Sequence, residues 1–403
     1  MSDEAAVAAR ERAYQAFENG DLESAYSALA DLYRQQGGID AQTANDLAVV
    51  LFRLGRWQDA VEKFREAQRL SGDEGNLLVD NLIDALGGMA EAMGGVAGNG
   101  DLPALACAGR RSPYDPLARW FADSASALHR ELRGLSDRDW TKALYGSLVG
   151  QPCNGHYLPG FIDEERQRIF VGSSGIAALL EAEQFIRVLL QKVDEHGTQL
   201  DERSVVVDFG SGWGRYTRFM LKYVHPDNLY GLEVSGGMVE HCRKVFGMAN
   251  FLKVDSWPPS PLRSGMVDLA FGYSVFSHLS PDCADAWIGE FARIVRPGGL
   301  VLMTTQRRAF IDFCQNIRTR GDRSNPWYVQ LAESFTDVEQ CYADYDRGEF
   351  LHAGHGQYDG TYGESLIPRG YIERHWGGEF ELVEFIDDHR ILPQALFVLR
   401  RRG

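Results

Sequence analysis

The sequence predicts an α/β fold, a mostly parallel sheet with helices on both faces and an antiparallel hairpin at one edge, preceded by an all-α domain of paired helices. Three observations predict it. From Ser204 onward, short apolar runs alternate with helical patterns. The last two runs, FELVEFID and QALFVLRR, have only a short turn-bearing connection between them. The first ninety residues carry small and large apolar side chains at helical spacing and contain no proline before Pro103. The alternating runs are SVVVDF, NLYGLEV, NFLKV, MVDLAFGY and GLVLMTT. Each is followed by a segment long enough for a helical crossover, which makes them parallel, whereas the final pair is joined too closely for anything but an antiparallel edge hairpin.

A chain of 403 residues exceeds the usual single-domain size, so two domains are expected. Its 44% hydrophobic and 24% charged residues are those of a globular protein. No run approaches the roughly 18 apolar residues of a membrane span. The charged start MSDEAAVAARERAYQ has no signal core, which gives a cytoplasmic location as the expectation. The six cysteines (Cys107, Cys153, Cys242, Cys283, Cys314, Cys341) are dispersed without a CxxC pair, so free thiols and no metal site are expected. A net charge of −16 repels a polyphosphate, which argues against a nucleic-acid partner.

Within the helical segment Ala13, Gly20 and Ala25 repeat as Ala48, Gly55 and Ala60, an offset of 35 residues. Leu47, Leu51, Phe64 and Ala67 complete the pattern of the second unit. It resembles the tetratricopeptide repeat, whose period is roughly 34 residues. A capping helix is expected at residues 76–94, because a helix pair cannot bury its apolar face alone. This divides the chain into a repeat domain over 1–97, a Gly/Ala-rich linker over 98–118 and a catalytic domain over 119–403. The catalytic domain opens with a helical lead-in (119–200) that contains the amphipathic segment GIAALLEAEQFIRVLLQKVDEHG.

The most informative segment is VVVDFGSGWGRYTRFM, a buried strand running into Asp208, then Gly210, Ser211, Gly212 and Gly214, then a helix. Glycine at such a turn lets the backbone lie against a ligand. Glu233 ends the next strand, 19 residues after Gly214, where a carboxylate can accept hydrogen bonds from two ribose hydroxyls. Dinucleotide sites aim a helix N-terminus at a pyrophosphate, which Asp208 would repel. An ammonium is a better partner for that carboxylate.

Further motifs follow in order: Asp255 and Ser256 after the third strand, Asp268 opening the fourth in VDLAFGYSVFSHL, and RPGG at Arg296 to Gly299 preceding the fifth. With the D-x-G-x-G-x-G turn they resemble the class I S-adenosylmethionine-dependent methyltransferases, in particular a bacterial subgroup with an SVFSHL-type fourth motif. Phe170 to Gly175 and PQALFVLRR extend the resemblance over residues 160–403. It implies a seven-stranded Rossmann-like sheet and S-adenosyl-L-methionine as cofactor. The expected cofactor residues are Asp208, Gly210, Ser211, Gly212, Gly214, Glu233, Val234, Asp255, Ser256 and Tyr273.

Methyl transfer from a sulfonium is an in-line displacement that mainly requires alignment and exclusion of water. An oxygen acceptor also needs a base. His278, just beyond the fourth strand, is the leading candidate, set against a structural role in capping the helix near Pro281. His352 and His355 are the reserves, within the segment 306–376 that reads as a lid or acceptor pocket. There HAGHGQYDGTYGES, which also holds Tyr358, Tyr362 and Glu364, reads as a solvated glycine-rich loop in preference to a metal site. The expected function is O-methylation of a glycan or small-molecule acceptor, with the repeats recruiting a protein partner or mediating self-association. A peptide or protein acceptor is one alternative, and a repeat-mediated interaction protein with a cofactor-binding fold is another. A nicotinamide-linked oxidoreductase is disfavoured by the glycine spacing.

Overall fold

The computed structural model describes residues 3–38, 40–54, scattered positions from 56 to 70, 125–148, 152–248, 250–357 and 361–403. The expected capping segment 76–94 and linker 98–118 lie outside the described residues, as do Gly55, Phe64 and Tyr358. Among the described residues, seven helices precede the sheet. They are α1 (Asp3–Glu18), α2 (Leu22–Gln35), α3 (Ala41–Arg53), α4 (Ala125–Gly134), α5 (Asp137–Ser147), α6 (Glu164–Val171) and α7 (Gly175–Glu195). The chain forms two compact units, residues 1–115 with 135–180, and residues 116–134 with 181–403. No single helix among the described residues is long and apolar enough to cross a membrane.

In the first unit α1 packs on α2 and α2 on α3. Asp21 caps α2 by accepting a hydrogen bond from the Ser24 amide at 3.2 Å, and Asp40 accepts one from the Thr43 amide at 3.0 Å at the start of α3. Buried Ala13, Ala25 and Ala44 let the helices approach, and Leu29, Tyr33, Leu47 and Val50 fill the space between them.

The second unit carries the sheet. Its elements are β1 (Val206–Phe209), α8 (Thr217–Met220), β2 (Leu229–Glu233), α9 (Gly236–Phe246), β3 (Phe251–Lys253), β4 (Val267–Gly272), α10 (Pro281–Ile294) and β5 (Val295–Thr305). Then come α11 (Phe310–Arg320), α12 (Pro326–Glu333), α13 (Val338–Asp346), β6 (Leu351–Gln357), β7 (Tyr362–Leu366), α14 (Arg369–His375), β8 (Phe380–Ile386) and β9 (Ala395–Arg401). Seven strands form one sheet in the order β3-β2-β1-β4-β5-β9-β8. The first five are parallel, and β9 runs antiparallel to both β5 and β8. The expected sheet and terminal hairpin are both present, with β9 wedged inside and β8 at the edge.

β1 is buried at all four positions, as a strand covered on both faces must be. On one face Phe209 meets Trp287 and Phe291 of α10 at ring separations of 4.6 and 5.2 Å. Phe397 of β9 packs there against Phe276 and Trp376. The polar tips of this aromatic layer are satisfied, since Asp285 accepts from Trp376 Nε1 at 2.7 Å and from the Tyr371 hydroxyl at 2.9 Å. On the other face Phe185 of α7 lies 6.2 Å from Phe271 of β4.

Two sequence expectations are corrected. RPGG does not precede the fifth strand but lies within β5, where the pairing with β4 shifts between Val267 and Leu269. Arg296 there pairs with Asp268 at 2.5 Å, while Asp268 also accepts from the Val205 amide at 2.7 Å, so both residues tie the amino ends of three strands together. HAGHGQYDGTYGES is not a solvated loop, because its described residues form the antiparallel hairpin β6–β7. Gly354 and Gly363 face each other across the hairpin, and a side chain on Gly363 would strike the Ala353 carbonyl. The glycines serve a close backbone approach. The hairpin and α11–α13 share a core of Ile311, Cys314, Ile317, Leu331, Leu351 and Leu366, so the insertion is a folded subdomain.

Phe397→Ala should cost about 3–5 kcal/mol, because a fully buried ring between two aromatics cannot be replaced by collapse of its surroundings. Urea unfolding measures the loss, and a change under about 1 kcal/mol would show that β9 is not part of the cooperative core.

Candidate active site

β1 ends in a turn where Gly210, Gly212 and Gly214 all have positive φ, at +73°, +50° and +79°. The turn is tied to β2, since the Gly210 and Ser211 amides both donate to the Leu232 carbonyl, at 2.8 and 3.1 Å. A methyl group on Gly214 would lie 2.5 Å from the Phe246 ring, and one on Gly210 would collide with Val275. One on Gly212 would meet nothing within 4 Å. Packing therefore demands glycine on either side, while the middle glycine faces open space where a ligand can lie against the backbone. Ser211 is buried, and its hydroxyl has no hydrogen-bond partner.

Glu233 is buried at the carboxyl end of β2 and is held from two sides. Its Oε2 accepts from the Gly212 amide at 2.9 Å and its Oε1 from the Ser235 amide at 2.8 Å. Each oxygen keeps a second lone pair for a ligand hydroxyl. Burial raises its carboxyl above the usual range, partly offset by those amides. Val234 beside it is 44% exposed, an apolar side chain left open next to a polar clamp.

Asp208 is 1% exposed, and its Oδ2 accepts from the Thr217 hydroxyl at 2.5 Å. Its Oδ1 is buried without a partner. Burial pushes its carboxyl up to about 7, and the nearby Glu233 charge adds to the rise. A buried carboxylate oxygen with an empty lone pair is costly unless a donor arrives, and an ammonium would supply one. Asp255 is exposed beyond β3. Ser256 follows it, with its carbonyl fixed by Trp287 Nε1 at 2.8 Å. Tyr273 closes the end of β4, packed on Phe185 and Tyr216, and burial pushes its phenol up to about 12.

Beyond β4 the backbone takes an unusual course at Ser274, a non-glycine residue with φ of +59°. Such strain persists only where the surroundings hold it. Here the Ser274 amide donates to Thr304 Oγ1 at 2.8 Å, and Gln394 donates to Ser274 Oγ at 3.0 Å. His278 Nδ1 lies 2.8 Å from the Gly363 carbonyl, so Nδ1 carries the hydrogen and Nε2 holds a lone pair 3.3 Å from Ser274 Oγ. The imidazole stacks on Tyr362 at 4.8 Å. It does not cap α10, whose N-cap is Ser280.

The segment carrying His278 is stitched to β7, with Gly363 donating to the His278 carbonyl and Ser365 to the Ser277 carbonyl, both at 2.8 Å. His352 is anchored on the same strand: its Nδ1 donates to Ser365 Oγ at 2.8 Å, and that hydroxyl in turn donates to the Leu279 carbonyl at 2.6 Å. His355 lies in β6. Among the described residues no three His, Cys, Asp or Glu side chains converge on a metal position.

Ser274, Thr304 and Gln394 were not singled out in the sequence, nor were Trp327 and Gln306, which donate to Glu364 at 2.8 and 2.9 Å. Ser274 lies inside SVFSHL's own segment, yet its backbone strain leaves no trace in residue type. Gln394 stands 120 residues from Ser274, a contact that no local spacing encodes.

Residues 206–299 match a family described as a methyltransferase domain. Trans-aconitate 2-methyltransferase of Azoarcus sp. (strain BH72) is 29% identical over 135 residues, 33% of this chain and 50% of that protein. The chain thus spans about half the length of this curated relative. Similar solved structures include a S-adenosylmethionine-dependent methyltransferase from Clostridium acetobutylicum ATCC 824, with 11% identity, a TM-score of 0.37, and 59% and 97% of the two chains covered. Geranyl diphosphate C-methyltransferase from Streptomyces coelicolor A3(2) has 12% identity and a TM-score of 0.34, covering 70% of this chain and 98% of that one.

The two glycines should separate fold from site. Gly214→Ala is expected to destabilise the protein by about 2–4 kcal/mol through strain and overlap with Phe246. Gly212→Ala should cost only about 1–2 kcal/mol of stability while weakening S-adenosylhomocysteine binding at least tenfold. Thermal unfolding and calorimetric titration of both variants test this, and equal effects on both quantities would contradict it.

Proposed function

We propose that this chain, which carries a S-adenosylmethionine-dependent methyltransferase domain over residues 206–299, methylates a hydroxyl of a small-molecule or glycan acceptor with His278 as general base. The observation that carries the reading is the histidine's geometry. Its Nδ1–H is committed to the Gly363 carbonyl, which leaves the Nε2 lone pair at the carboxyl edge of the sheet, the edge where ligands bind in open α/β folds.

The cofactor residues fit the same reading. Asp208, with its unpartnered Oδ1, would hold the ammonium of the methionyl part. Glu233 would take the ribose hydroxyls, Val234 would offer an apolar surface to the base, and Asp255 and Ser256 would border its amino group. Gly210, Ser211, Gly212, Gly214 and Tyr273 would form the wall between them. When bound, S-adenosylmethionine supplies a methyl group made electrophilic by a sulfonium. The protein's part is to align the acceptor, exclude water and accept one proton at His278 Nε2. His352 is the reserve base, fixed through Ser365 beside the same segment.

Resemblance to the SVFSHL-type subgroup supports a surface-glycan or secondary-metabolite acceptor. The N-terminal helices support a tetratricopeptide-like module for a protein partner or for self-association, because Ala13, Ala25, Ala48, Ala60 and Ala67 are all buried where the repeat needs small residues. A peptide acceptor delivered by those helices is the alternative reading.

Glu233→Ala should lower affinity for S-adenosylhomocysteine by roughly 1.5–3 kcal/mol, and NAD should not bind to either form. Calorimetric titration decides, and unchanged affinity in the folded variant would remove Glu233 from the site.

With a hydroxyl acceptor found by screening, His278→Ala should lower turnover by about a hundredfold or more at nearly unchanged cofactor affinity. A rate within about threefold of wild type across pH 6 to 9 would reduce His278 to a structural residue and turn attention to His352.

A further inference from the structure

We infer that Glu364, carried on the lid hairpin, is the positioning residue that sets the proton affinity of His278. The inference rests on the reading of His278 as the base and deepens it. Glu364 is 2% exposed, and its Oε1 stands 3.7 Å from His278 Nδ1. Its remaining contacts are with neutral donors: Trp327 Nε1 on Oε1 at 2.8 Å and Gln306 Nε2 on Oε2 at 2.9 Å. Among the described residues no lysine or arginine pairs with it, so its negative charge is solvated by two hydrogen bonds and left otherwise uncompensated.

A carboxylate held this way is oriented but not neutralised. With His278 neutral, the Nδ1–H hydrogen bonds to the Gly363 carbonyl and the carboxylate lies just beyond contact. Once Nε2 takes a proton, the ring becomes a cation less than 4 Å from a buried carboxylate, and the two attract. Glu364 thus makes the lone pair at Nε2 a better base without touching the acceptor.

The other titratable groups around the pair do not cancel this effect. Tyr362 stacks on the imidazole from the same strand as Glu364. Cys314 on α11 has its thiol pushed up to about 12, first by burial and then by the Glu364 charge, with Arg318 acting on it in the opposite direction. His352, on the strand paired with β7, turns its Nδ1 to Ser365. Because Trp327 belongs to α12, the carboxylate also links the lid's helical part to the base.

The test needs no acceptor. The full chain, labelled at histidine Cε1 and saturated with S-adenosylhomocysteine, is titrated by NMR, with the His278 resonance identified by its loss in His278→Gln. Glu364→Gln should lower the His278 midpoint by about one pH unit, a tenfold loss in proton affinity. Trp327→Phe removes a donor from the carboxylate and concentrates its charge, so the midpoint should rise. Opposite shifts from the two variants are not what a merely structural role produces. A midpoint unchanged to within about 0.2 in folded Glu364→Gln overturns the inference. Where Glu364→Gln does not fold, an unchanged or lowered midpoint in Trp327→Phe overturns it alone. The base reading fails by a different result, a silent His278→Ala in turnover, so the two failures cannot be confused.

Discussion

The chain has to turn directly after β1, in a space bounded by Val275 on one side and Phe246 on the other. Side chains cannot fit at Gly210 or Gly214, and the turn, with positive φ at all three glycines, aims the Gly210, Ser211 and Gly212 amides toward the end of β2. Glu233 receives the last of these, so the carboxylate that would bind a ligand also fastens the turn that would receive it. Moving either would disturb the other. This mutual dependence explains how a site made largely of backbone keeps its shape: its rigidity comes from a buried carboxylate bonded to two amides and from two glycines, Gly210 and Gly214, that packing forbids replacing.

What the sequence made legible was local. Strands read from apolar runs, the glycine turn and Glu233 at its fixed distance depend on contacts within some thirty residues, where spacing is nearly geometry. The terminal hairpin was legible for the same reason, because its connection is too short for a crossover. The insertion was not. Its glycines suggested a solvated loop, since nothing in residue type separates a glycine needed for mobility from one, such as Gly363, needed because a carbonyl lies against it. The contact that fixes the His278 ring joins it to Gly363, 85 positions away, and the strain at Ser274 is maintained by Thr304 of β5 and by Gln394 in the turn before β9. A sequence scan finds the histidine and misses what holds it.

The insertion has its own apolar core yet hands polar contacts to the sheet's carboxyl edge. Its outer surface includes Phe313 of α11 and Trp327 of α12, 38% and 40% exposed, with the Tyr328 ring of α12 edge-on to Phe313. Trp327 therefore has two aspects, an indole face open to solvent and an N–H buried on Glu364. One side chain thus joins the insertion's exposed surface to the buried carboxylate that stands 3.7 Å from the imidazole.

The position of β9 has a consequence for how the protein is made. β8 leaves the ribosome before β9, yet among the described strands it pairs only with β9, and β5 likewise offers one edge to it. Until β9 is synthesised and slides between them, two apolar strand edges stay open at once, each a template for another chain. The nascent protein thus passes through a stage at which self-association competes with completion, and its yield in a cell should depend on chaperone supply more than its final stability suggests.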